Sequence, residues 1–303
     1  MSTFPASNDR VSQGIALITV AVFLHSLADA SVKYFSARLP LWQLFLLVSC
    51  LSVPVLGSWL VAGIRSGRLR VASVAWVTTR SVLLLLMWVA YYSALPLIPL
   101  SLAAVAIYTT PLFIALISTG YGGERLSRLG WGAVGLGFAG VALVLRPGSD
   151  TFALAALLPV IGAVFYALAM VVTRRHCRHE HPLVLALGLN LAFLLAASIG
   201  GVTSVMGSEV IVAHAHFLLS PWQPLGWHEM AFIFCYALAL VAINTATARA
   251  YQIAPSALIG TFDYAYLVFA CLWGYWLFGE VPDAFTWAGM LLILTAGLLV
   301  MRR

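Results

Sequence analysis

A chain of 303 residues that is 62% apolar and only 9% charged has too little polar surface for a soluble fold. A mean hydropathy of +1.00 places it in a bilayer. The net charge of +6 does not point to nucleic acid, because the arginines form no basic stripe with interleaved aromatics.

Apolar runs long enough to cross about 30 Å of hydrocarbon as helices are predicted, in chain order, at 14–35, 41–62, 72–94, 98–119, 129–145, 153–173, 183–206, 228–250, 255–278 and 284–301. None alternates polar and apolar residues, so a membrane barrel is a poor fit and an all-α polytopic protein is expected. The first run, with Arg10 ahead of it and Ala28-Asp29-Ala30 within it, also has the form of a cleavable secretory signal. Its apolar pattern continues to Phe35, however, and Ala21-Val22-Phe23 through Lys33 parallels Ala163-Val164-Phe165 through Arg175, which makes it the partner of the sixth helix.

With the first helix starting inside, one side of the membrane collects Arg10, Arg65, Arg68, Arg70, Arg125, Arg128, Arg174, Arg175, Arg178, Arg249, Arg302 and Arg303. The other collects only Lys33, Arg38 and Arg146. That asymmetry predicts both termini in the cytoplasm. The four cysteines imply no disulfide framework.

The chain is written twice. Residues from Ala94 align without a gap on those from Ala250, pairing Pro99 with Pro255, Tyr108 with Tyr264, Phe113 with Phe269, Gly123 with Gly279, Glu124 with Glu280 and Trp131 with Trp287, always 156 positions apart. Two units, 14–146 and 153–301, then hold five helices each. An odd number of crossings inverts the second unit, and inverted repeats are the signature of carriers that alternate access around a site near the midplane.

The tandem five-helix units, the Pro opening the fourth and ninth helices, the Gly-Glu closing each before a Trp-containing last helix, and Arg80 at the start of the third resemble the drug/metabolite transporter superfamily. The resemblance is to its ten-helix EamA-type members. It implies a basket in which helices 1, 3, 4, 6, 8 and 9 surround a central cavity while the fifth and tenth lie outside. It also implies a carrier of the bacterial inner membrane, often an exporter of amino acids or related metabolites. The repeat is unequal at Pro111 against Leu267 and at Ile107 against Asp263.

An ionisable group at mid-membrane costs about 2.5–3.5 kcal/mol on insertion scales and needs a cavity, a partner or a function. His25, Asp29 and Lys33 form one stripe on the first helix, with Lys33 expected to snorkel. Asp29, alone or with His25, is expected to bind a proton or a substrate amine, or else to form a satisfied structural pair. Asp263 is read either as a cavity residue or as an interhelical hydrogen-bond partner of Asn244, Thr245 or Thr247. On the third helix Arg80, Trp88 and Tyr91 fall near one stripe and suit a zwitterion with an apolar body, although Arg80 fits a loop-bracing role as well. Tyr108 and Tyr264 occupy equivalent positions in the two repeats and are expected as a pair of cavity-wall residues near mid-membrane, joined by Tyr166. Glu124 and Glu280 are read as structural, capping or pairing at helix ends, with a gating ion pair as the alternative.

Three signals are set aside. Gly135-Leu136-Gly137-Phe138-Ala139-Gly140 matches a dinucleotide fingerprint but lies inside an apolar helix, where Ala133 with Gly137 and Gly135 with Ala139 serve close helix approach. His176, Cys177, His179 and His181 have metal-ligand chemistry but are interrupted by arginines. The segment 207–227 is read as an outer connection, lying on the membrane surface or acting as a lid. The sequence therefore predicts a secondary transporter of a small organic metabolite, an amino acid or amino-acid-derived compound including a metallophore, with export favoured. The alternatives are uptake of a vitamin-like or nucleoside-like metabolite, a membrane-embedded enzyme acting on a lipid-linked substrate, and a sensor that translocates nothing. No cofactor, metal site, catalytic residue or nucleic-acid partner is expected; protons are the expected coupling ion, and the protein is expected as a monomer or homodimer.

Overall fold

The computed structural model describes residues 8–67, 71–122, 127–146, 153–177, 179–206, 216–253, 259 and 262–301. Among them all regular structure is helical: α1 Asn8–Phe35, α2 Leu41–Arg65, α3 Val74–Ala94, α4 Leu100–Ile107, α5 Thr110–Gly122, α6 Arg128–Leu145, α7 Leu157–His176, α8 Pro182–Met206, α9 His216–Leu219, α10 Trp227–Ile253, α11 Ala265–Phe278 and α12 Ala284–Met301. Seven spans are long and apolar enough to cross a membrane, and 227–243, 265–278 and 284–299 form shorter apolar helices.

Helix ends follow local chemistry. Ser73 and Ser127 cap α3 and α6 by accepting from the Trp76 and Gly130 amides, and Asp283 caps α12 by accepting from the Thr286 amide at 2.9 Å. Gly279 ends α11 with φ 67°, a left-handed conformation that favours glycine.

The run predicted as one helix at 98–119 is two. Pro111 has no amide hydrogen for the Ile107 carbonyl, which accepts instead from Thr110 Oγ1 at 2.7 Å, and the chain breaks at Tyr108 and Thr109. Tyr264, the aligned tyrosine, marks a second break directly before α11. The two residues have similar backbones, φ −72° and ψ 5° against φ −63° and ψ −13°.

α6 and α12 pack together where Gly140 and Gly289 bring the backbones close; a Cβ on Gly140 would lie 3.0 Å from the Gly289 carbonyl. Gly137 seats the Leu112 side chain. Gly135 and Ala139 are exposed, so that expected approach pair faces away from the contact.

At the end where α1 finishes, α9 and the strap after it dock on α2. Trp42 Nε1 donates to the Ser220 carbonyl at 3.0 Å, and Gln43 exchanges two hydrogen bonds with the Gln223 backbone at 2.9 and 3.0 Å. The rest of the expected surface segment, 207–215, lies outside the described residues. Trp42 is buried under this strap, whereas Trp59, Trp131, Trp276 and Trp287 are exposed. At the opposite end, Ser73 N donates to Glu180 Oε1 at 2.6 Å and the Trp76 ring stacks on His176 at 3.6 Å.

Candidate substrate site

Polar side chains inside the bundle fall into two sets with opposite hydrogen-bonding status. The first is satisfied. Asp29 is 1% exposed and accepts from Tyr91 at 3.2 Å, from Tyr92 at 3.3 Å and from Tyr266. Tyr91 and Tyr266 share a further hydrogen bond at 2.8 Å, and Tyr92 meets the Tyr236 hydroxyl at 2.7 Å. Trp273 Nε1 donates to Ser26 nearby, at 3.1 Å. This hub joins α1 and α3 to α10 and α11. A buried carboxylate needs such donors, since each unmet bond costs about 1–3 kcal/mol.

The second set is unsatisfied by the protein. His25, Trp88, Tyr166 and Asp263 are each half-buried, and among the described residues none of their side chains makes a hydrogen bond or an ion pair. His25 packs on Trp88 and Tyr266 with ring centroids 6.0 and 5.5 Å away, and lies in electrostatic range of both Asp29 and Asp263. Tyr166 lies in electrostatic range of Arg80 and Asp263. Arg80 donates from Nε to Thr173 Oγ1 at 2.8 Å and from one terminal nitrogen to the Leu185 carbonyl at 3.4 Å. Both partners are neutral, so the bracing role expected for Arg80 leaves its charge unmatched.

The Tyr108 and Tyr264 rings lie with centroids 5.4 Å apart, and Tyr108 also stacks on Tyr266 at 5.1 Å. The Tyr108 hydroxyl crosses to donate to the Asp263 backbone carbonyl at 3.1 Å, so a residue at one helix break is tied to the other break. Tyr264 is turned away and packs its hydroxyl onto Gly297.

Several expectations change. Lys33 does not snorkel; it pairs with Glu280 and donates to the Ile98 carbonyl at 2.6 Å. Glu280 does not cap the helix that follows it but accepts from the Leu100 amide at 2.7 Å, at the start of α4. Glu124 and the side chains of Asn244 and Thr245 lie outside the described residues. His176 stacks on Trp76, His181 Nδ1 accepts from the Leu183 amide at 3.2 Å, and burial pushes the Cys177 thiol up from its usual range. An apolar groove of about 460 Å³ between α2 and α8, lined by Trp42, Leu46, Ala197 and Val205, lies apart from both polar sets.

Tyr236 escaped sequence reasoning because nothing in its apolar run sets it apart. Carrying the 156-residue spacing back along α3 would have found it, since Tyr236 then aligns with Arg80, and Asn244 with Trp88.

A helical membrane bundle with broken helices and, among the described residues, interior polar side chains without hydrogen-bond partners defines a small-molecule transporter. Residues 12–146 match the model of the EamA-like transporter family, and the chain belongs to that family. It is 32% identical over 224 residues to a riboflavin transporter of Rhizobium johnstonii, covering 74% of this chain and 69% of that one. To the pseudopaline exporter CntI of Pseudomonas aeruginosa it is 26% identical over 290 residues, 95% of either chain. An S-adenosylmethionine uptake transporter of Rickettsia prowazekii is 22% identical over 95% of this chain and 92% of its own. A solved crystal structure has the same fold, with a TM-score of 0.57 at 24% identity over 95% of this chain and 96% of that one.

Proposed function

We propose that the protein is a secondary carrier that exports an amino acid or amino-acid-derived metabolite across the bacterial inner membrane by alternating access. The observation that carries this reading is the set His25, Trp88, Tyr166 and Asp263, whose side chains make no hydrogen bond or ion pair among the described residues, beside the two helix breaks. Buried polar groups are ordinarily hydrogen-bonded, so a site that leaves them free is complementary to something that comes and goes.

The inverted repeat is supported by element ends and by packing. α6 and α12 begin 156 positions apart, at Arg128 and Ala284. α1 packs on α10 and α11, while α7 packs on α3, α4 and α5; α2 packs on α8 and α6 on α12. Exchanging the two halves maps this contact set onto itself. With α4 and α5 counted as one crossing and the four-residue α9 set aside, we read ten crossings, which would bring both termini to one side, and the arginine asymmetry favours the cytoplasm for that side.

Asp29 serves as the coupling residue in this reading. Its hub ties both halves together, so protonating it loosens the bundle at the place where the halves must part. Export is favoured because the exporter relative spans 95% of this chain and of its own.

Uptake and counterflow in proteoliposomes, with a panel of amino acids and derived metabolites and with or without a pH gradient, test the proposal. Gradient-driven flux in oriented vesicles supports it; ligand binding without flux overturns it in favour of a sensor. A second reading, uptake of a flat vitamin-like compound, is favoured by the 32% identity to a riboflavin transporter and by the aromatic walls at Trp88 and Tyr108. The same vesicles separate the two by the direction of flux.

A further inference from the structure

The charged members of the site are far apart. On α3, Arg80 precedes Met87 and Tyr91 by seven and eleven residues, about 10–16 Å of helix rise. α7 gives an independent measure. Thr173, which takes Arg80 Nε, lies eleven residues, about 16 Å, beyond Gly162. A Cβ on Gly162 would meet Met87 O and Ile107 Cδ1, each at 3.3 Å, so Gly162 is level with the break that follows Ile107. Tyr108, at that break, reaches the Asp263 carbonyl at 3.1 Å. The guanidinium and the Asp263 carboxylate are therefore separated by roughly 10 Å or more along the bundle. Tyr166 lies in electrostatic range of both, and Trp88 and His25 stand at the Asp263 end.

An α-amino acid carries its carboxylate and ammonium two bonds apart, and cannot reach both charges. The 156-residue spacing also aligns Arg80 with Tyr236, so the cation at one end has no cationic counterpart at the other. We infer that this site takes an elongated amphoteric compound, with a carboxylate bound by Arg80, an amine bound by Asp263 about 10 Å away, and a planar or apolar middle lying along Tyr166 and Trp88. The inference rests on the carrier reading for the identity of the site, and narrows its substrate from amino-acid-like compounds in general to those with charges at opposite ends.

Isomeric probes test it. 8-Aminooctanoate and 2-aminooctanoate have the same atoms but distant or adjacent charges, and octanoate and octylamine carry one charge each. Ligand-induced thermal stabilisation of the purified full-length protein is expected to saturate at a concentration at least about tenfold lower for the 8-isomer than for the 2-isomer, as one additional charge-assisted contact requires. Arg80→Gln is expected to lower 8-aminooctanoate binding to the level of octylamine, and Asp263→Asn to that of octanoate. Retained binding of the single-ended compound shows that each variant is folded, and Arg80→Lys should keep part of the preference. Equal binding of the two isomers, or unchanged binding of the 8-isomer in both charge-removing variants, overturns the inference. Counterflow separates the two levels: flux without isomer preference leaves the carrier standing and removes the substrate class, whereas preference without flux does the reverse.

Discussion

Glu280, at the end of α11, pairs with Lys33 of α1 through one carboxylate oxygen and accepts from the Leu100 amide at the start of α4 through the other. The Lys33 ammonium also lies 5.0 Å from the centre of the Phe278 ring. The two side chains are 11% and 17% exposed, and they join elements far apart in sequence at the end of the bundle where α1 finishes.

Removing one partner of so shielded a pair leaves a charge with no complement and costs about 3 kcal/mol. Glu280→Gln should therefore lower thermal stability in detergent and loosen this end. A cysteine placed at Ile98, buried beside Lys33, should then react several-fold faster with an impermeant thiol reagent, and the double variant Lys33→Glu with Glu280→Lys should recover much of the protection. Unchanged labelling would show that the pair does not hold this end closed.

Asp29→Asn keeps the shape of the carboxylate but offers an amide nitrogen to one of the three tyrosine hydroxyls that now donate to it. A loss of about 1–3 kcal/mol is expected in thermal unfolding. If Asp29 also carries the coupling proton, the variant should exchange substrate in counterflow yet no longer respond to a pH gradient. Wild-type transport with unchanged pH dependence would remove Asp29 from coupling.

Glycine substitutions should separate packing sites from bystanders. A Cβ on Gly297 would overlap the Tyr264 hydroxyl, and one on Gly289 would overlap Val144 and lie 2.7 Å from the Gly140 carbonyl. Gly289→Ala meets backbone and should cost about 1–3 kcal/mol. Gly297→Ala should push the Tyr264 ring toward Tyr108 and alter flux as well as stability. Nothing lies within 4 Å of Gly135, so Gly135→Ala should be neutral or stabilising, by up to about 1 kcal/mol of helix propensity. Melting temperatures of the three variants give the comparison.

Pro111→Ala restores the amide that a continuous helix from Leu100 to Gly122 lacks. Stability should change little, because the Ile107 carbonyl exchanges one hydrogen bond for another. Counterflow should slow, because Tyr108 would turn with the straightened backbone and lose the Asp263 carbonyl. A fully active variant would mean that the break is incidental to transport.

Composition and apolar run lengths were enough to determine a helical membrane protein and, among the described residues, seven of the ten expected runs as helices long and apolar enough to span, because in hydrocarbon each helix must satisfy its own backbone and be apolar over its full length. The 156-residue repeat, read from identities such as Pro99 with Pro255, likewise pointed to the family and singled out Tyr108 and Tyr264 as an equivalent pair. Hydrogen-bond partners were not legible in this way. For both Asp29 and Asp263 the sequence left a functional and a satisfied structural role open; Asp29 is held by three tyrosines from α3 and α11, while Asp263 has no side-chain partner among the described residues. Glu280 looked like a cap for the next helix and instead serves one from the other half of the chain. The sequence of one helix sets which side chains share a face, but not which helix that face meets. That choice depends on how all the helices pack at once, and only the tertiary structure decided it.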